Sequence, residues 1–136
     1  MQYLSFKKNS RVVAAGLLLG DTGKVLDLSH PSCLPMLGDA QPNLLNMIQA
    51  GLEQIGKRIQ EFLRNNPPHI DAVIALQDII FCAPIPNPGK IVGAAYNFTD
   101  ALDERSMPYP SEPVIFIRSR STTIGPFDPI LIPPDV

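Results

Sequence analysis

Proline constrains this chain more than any other residue type. There are 15 in 136 residues, roughly twice the ordinary share of about 5%. Each proline fixes its own φ and removes a backbone donor, so it interrupts helices and is kept out of central strands. A mostly helical chain is excluded. The distribution is uneven: ten of the 15 lie between Pro84 and Pro134. Ala83-Pro84-Ile85-Pro86-Asn87-Pro88-Gly89 reads as a stiff, extended connector. It divides the chain into a small N-terminal domain, residues 1–82, and a second unit, residues 83–136.

Apolar residues make up 45% and charged residues 18%, which favours a folded core over disorder. The net charge is -2, from 11 Lys+Arg and 13 Asp+Glu. No basic excess is present to hold a phosphate backbone, so no nucleic-acid partner is expected. Lys7, Lys8 and Arg11 precede the apolar run Val12 to Leu19, which imitates a targeting peptide. The next residues are Gly20-Asp21-Thr22-Gly23-Lys24, a turn rather than a cleavage site. A hairpin is expected, and the run is too short to cross a bilayer. Cys33 and Cys82 form no C-x-x-C pair and stand in apolar company. They are expected to be reduced and buried, in a cytoplasmic protein.

Alternation predicts strands at Tyr3–Phe6, Val12–Leu18 and Lys24–Leu28. Residues 29–41, with Pro31, Pro35 and Gly38, read as loop. Leu44, Leu45, Ile48, Leu52, Ile55, Ile59 and Phe62 recur at helical spacing, and Asn65-Asn66-Pro67-Pro68 stops them. One helix is predicted over residues 43–64, packed on a sheet. Glu53 and Lys57 make a favourable i, i+4 pair on it. Further strands are predicted at Ala72–Leu76, Ile79–Phe81, Lys90–Ala94, Pro113–Arg118 and Pro129–Pro133, with one short helix in the second unit. The fold class is α+β, mostly β. Three short strands and one short helix make a thin second unit, so a larger assembly or a homodimer is expected.

From Ala83 onward the chain resembles the fumarylacetoacetate hydrolase superfamily. The matching blocks are Ala83–Ile91, Pro108–Arg118, Ser121–Pro126 and Asp128–Pro133. The first 80 residues resemble the small N-terminal domain of many members. The resemblance implies the first strands of a rolled β fold. It also implies action on carbon–carbon bonds of 2-oxo or 1,3-dicarbonyl acids, by hydrolysis, isomerisation or decarboxylation. A Mg²⁺ or Mn²⁺ ion would stabilise the developing enolate. The partner implied is a small 2-oxo acid.

The departures from the family pattern bear on activity. The family's Asn-Tyr-x-x-His-x-x-Glu block falls on Asn97 to Glu104, with Phe98 for Tyr and Ala101 for His. A methyl group takes no proton, and a lone carboxylate is a weak base at neutral pH. The family's metal ligands, a Glu-x-Glu pair and a later Asp, lie downstream of the strand matched by Ile130–Ile132. No metal ligand is assigned here, and no ion is expected on this chain alone. The site residues implied are Glu104 as the catalytic carboxylate, with Asn97, Asp100 and Arg118 binding substrate. From residue types alone, Asp100, Asp103 and Glu104 also read as a solvated helix face, and Arg118 as a surface cation. Tyr96, Tyr109 and Phe127 read as packing residues. His30 and His69 read as structural or exposed. The alternatives to an enzyme are a catalytically silent binding or assembly domain and a fragment.

Overall fold

The computed structural model describes residues 1–8, 12–132 and 134. Arg11 and Pro133, on which parts of the sequence reading fall, lie outside the described residues. The chain forms two compact units. One comprises Met1–Pro86 and Ile124–Val136 as far as these are described; the other comprises Asn87–Thr123.

The first unit is built on a five-stranded antiparallel sheet. Its strands are β1 (Tyr3–Lys7), β2 (Ala14–Leu18), β3 (Lys24–Asp27), β4 (Val73–Ala75) and β5 (Ile80–Phe81). Their order is β4-β3-β2-β1-β5. The expected hairpin is present: Leu17 pairs with Leu26 and Leu18 with Val25 across the Asp-Thr-Gly turn. Strand alternation sends side chains to two layers. Ala15, Leu17 and Leu26 join Leu37, Met47, Ile55 and Ile59 in the main core. Phe6, Val25, Ile74 and Ile79 form a second cluster.

The predicted single helix is broken in two. Leu44–Gln49 form α2, and Leu52–Asn65 form α3. The cause is Gly51, whose φ of 99° lies in the left-handed region. Asn43 caps α2 by accepting the Asn46 N–H at 3.0 Å. The break changes which residues face inward. Leu44, Met47, Ile55 and Ile59 are buried, whereas Leu45 and Ile48 are exposed. The Glu53–Lys57 pair forms, at 2.7 Å on the solvent side. The expected loop of residues 29–41 contains a one-turn helix, α1 (Leu34–Leu37), with Pro35 in its first turn. Its Met36 and Leu37 are buried. Val12 and Val13 lie outside β2.

The expected strand at Pro129–Pro133 is absent over its described residues: 129–132 adopt no regular structure, and Ile130–Ile132 are exposed. Their flanking prolines withhold donors that a ladder needs. Cys33 is buried as expected, while Cys82 is only half-buried; both are free thiols. Burial pushes both thiols up, Cys33 with an opposing hydrogen bond from Ser32.

The second unit holds β6 (Ile91–Ala95), α4 (Thr99–Glu104) and β7 (Val114–Arg118). The two strands pair antiparallel as a separate ribbon, with Gly93 opposite Phe116. No helix in the described residues is long and apolar enough to cross a membrane.

Candidate functional site

The block Asn97–Glu104 begins two residues after β6 and runs to the end of α4. Tyr96 makes the bend. Its φ of 54° is left-handed, an uncommon state for a bulky residue and one found at functional turns. Phe98 then occupies the cap position of α4. Asp100 stands in the first turn, and its Oδ1 accepts the Ala101 N–H at 2.9 Å. Asp103 accepts a short hydrogen bond from the Tyr109 hydroxyl. That carboxylate holds the proton on Tyr109 and raises its pKa above the usual tyrosine value, with a smaller contribution from burial. Asn97, Asp100 and Glu104 are exposed.

Two hollows flank the bend. One, of about 190 Å³, is lined by Tyr96, Asn97, Phe98, Ala101, Leu102, Arg105 and Met107. The other, of about 310 Å³, lies between residues 94–97 and 110–114. Tyr96 and Asn97 line both. Ala101, at the family's histidine position, therefore faces a hollow rather than a packed core. Arg105 supplies a cation to that hollow. Sequence reading passed it over, although it directly follows Glu104.

Arg118 is placed elsewhere. It pairs in register with Ile91, at the opposite end of the ribbon from Ala95. Four residue steps separate the ends, roughly 14 Å at about 3.4 Å each. Its guanidinium lies 5.6 Å from the centre of the Phe116 ring, within cation–π range. Tyr96, Tyr109 and Phe127 are exposed rather than packed inside. Phe127 meets Phe81 edge-on, with ring centroids 6.1 Å apart.

The acids of this block do not fit a divalent ion. Asp100 and Asp103 each already engage a local donor. Among the described residues no group of three or more His, Cys, Asp or Glu is arranged to hold a metal. The two histidines are in the first unit. His30 and His69 stack with centroids 5.3 Å apart. Each Nδ1 accepts a backbone N–H, from Ser32 and Asp71 respectively. They pin loop ends together, a structural role.

No family model matches the chain. A Bos taurus protein named "Oxaloacetate tautomerase FAHD2A, mitochondrial" is 30% identical over 120 residues, 88% of this chain and 35% of that protein. "Fumarylacetoacetate hydrolase domain-containing protein 2" of Pongo abelii is 36% identical over 62 residues, 46% of this chain and 20% of that protein. A crystal structure described as an HpcE protein from Mycobacterium smegmatis matches with a TM-score of 0.61 and 20% identity. It covers 98% of this chain and 41% of that one, and at that identity it speaks for the fold alone. The chain spans about a third of the length of the bovine relative. The spaced blocks, the fold and these relatives agree: the chain belongs to the fumarylacetoacetate hydrolase superfamily and corresponds to its N-terminal part.

Proposed function

We propose that this chain is the N-terminal part of a protein acting on the carbon–carbon or keto–enol chemistry of a small 2-oxo or 1,3-dicarbonyl acid, and that alone it is catalytically silent. Support comes from family membership and from the relatives' names, which specify oxaloacetate tautomerase. The observation that carries the silence is Ala101: the family's proton-accepting position is a methyl group lining a hollow.

Each residue has a proposed role. Asn97 donates a hydrogen bond to a substrate oxygen, and Asp100 orients it from the first turn of α4. Glu104 is the remaining proton acceptor. Arg105, which lines the hollow, is the candidate for the substrate carboxylate, which arginine matches in a planar fork; Arg118, at the far end of the ribbon, stands apart from it. Keto–enol exchange needs proton transfer at carbon and stabilisation of the enolate oxygen, but no activated water. It is thus less affected by loss of the histidine than hydrolysis is. The Mg²⁺ or Mn²⁺ expected of the family would stabilise that oxygen. The block's acids do not fit such an ion.

The test is oxaloacetate enol–keto exchange, followed by the decay of enol absorbance with Mg²⁺ or Mn²⁺ present. The expected result is the buffer rate. An acceleration that disappears in Glu104→Gln would overturn the silence of the isolated chain.

A further inference from the structure

The hollow beside Ala101 combines apolar walls with one charge. Phe98, Ala101, Leu102 and Met107 supply the walls, and Arg105 is the single charged side chain that lines it. No ion pair to Arg105 occurs among the described residues. Two acids of α4 are engaged elsewhere: Asp100 accepts the Ala101 N–H, and Asp103 accepts the Tyr109 hydroxyl. Glu104 directly precedes Arg105, and adjacent helix positions do not face each other. The cation is therefore left for a ligand. Asn97 lines the same hollow and adds an amide donor. Position 101 contributes only a methyl group to the lining, and a larger side chain there takes up part of the space.

Size and charge together select what fits. The hollow measures about 190 Å³, and an apolar cavity of about 150 Å³ takes up benzene. An apolar group of that size fills it and leaves a carboxylate for the guanidinium of Arg105, a charge-assisted pairing of two planar groups. A second carboxylate finds no partner. Inside the hollow it meets Phe98, Leu102 and Met107, and an anion desolvated against apolar walls is costly. In the adjoining hollow it meets Glu112, with no cation among the residues that line that space. An ammonium group is repelled by Arg105 itself.

We propose that this hollow is a site for a monocarboxylic acid bearing an apolar group of about benzene size, and that Arg105 holds its carboxylate and selects it over dicarboxylic acids. That the acid also carries a 2-oxo group, received by Asn97, rests on the function proposed above. The probes are phenylpyruvate, pyruvate, oxaloacetate and 3-phenylpropionate, each titrated into the chain and followed by NMR at the Ala101 and Met107 methyls. Phenylpyruvate is expected to bind at least about tenfold more tightly than pyruvate, which lacks the apolar group. The same margin is expected over oxaloacetate, which carries a second carboxylate in its place. Arg105→Gln weakens phenylpyruvate about tenfold or more. Ala101→Leu weakens phenylpyruvate and leaves pyruvate unchanged. Unaltered amide shifts away from the hollow show that each variant is folded. Three results overturn the proposal: no shift of either methyl with phenylpyruvate, oxaloacetate binding as tightly as phenylpyruvate, or phenylpyruvate affinity that survives Arg105→Gln. The fourth probe separates the two readings. 3-Phenylpropionate binding as tightly as phenylpyruvate removes the 2-oxo reading and leaves selection by charge and apolar volume standing.

Discussion

At the scale of single residues, the backbone states of Gly51 and Asn43 are the most exposed to test. Gly51→Ala forces a Cβ into a φ of 99°, and the expected loss is about 1–2 kcal/mol. Asn43→Ala removes a cap and costs about 1 kcal/mol. Urea midpoints at constant m-value read both. Tyr109 supplies a pH dependence. Its folded pKa is raised, so the folded state holds the proton longer. That contribution is complete below the ordinary tyrosine value of 10.0 and is lost as pH rises past it through the folded pKa. Absorbance titration should show Tyr109 and the partly buried Tyr3 titrating high, and Asp103→Asn should return Tyr109 alone toward the ordinary value. The candidate residues themselves were legible as a spaced block, because Asn97 and Glu104 keep a fixed separation. The hollow beside Ala101 was not, since Arg105 enters it only through the turn that α4 makes.

At the scale of elements, the strands of the first unit follow from alternation and from the turn at Asp21–Gly23. What sequence periodicity misjudged was continuity. Leu45 and Ile48 fit a helical stripe with Leu52, yet a left-handed glycine between Ala50 and Leu52 rotates α2 relative to α3, and both residues face water. The strand expected at Ile130–Ile132 failed for another reason: apolar residues there have no paired neighbour among the described residues to complete a ladder. The packing stripe that remains can be weighed. Ile59→Ala, at a site 0% exposed, is expected to cost about 2–5 kcal/mol by chemical denaturation. Ile48→Ala should cost less than about 0.5 kcal/mol.

At the scale of the whole molecule, the two units differ in how completely each is covered. The first has two apolar clusters, one on each face of its sheet. The second buries one large side chain, Leu102, at 4% exposure. Thiol labelling gives a simple check on the first unit: Cys82 should react with a bulky reagent well before Cys33, which is 1% exposed, and unfolding should equalise them. The same contrast bears on how far positions in the second unit are free to vary. A Cβ built on Gly93 runs into the Phe116 ring, which lies across it. These two positions therefore form a coupled pair. Gly93→Ala should be poorly tolerated alone and tolerated with Phe116→Leu, a non-additive outcome in a double-mutant cycle. In descendants of this sequence, a side chain at position 93 requires the ring opposite to swing aside or to be given up.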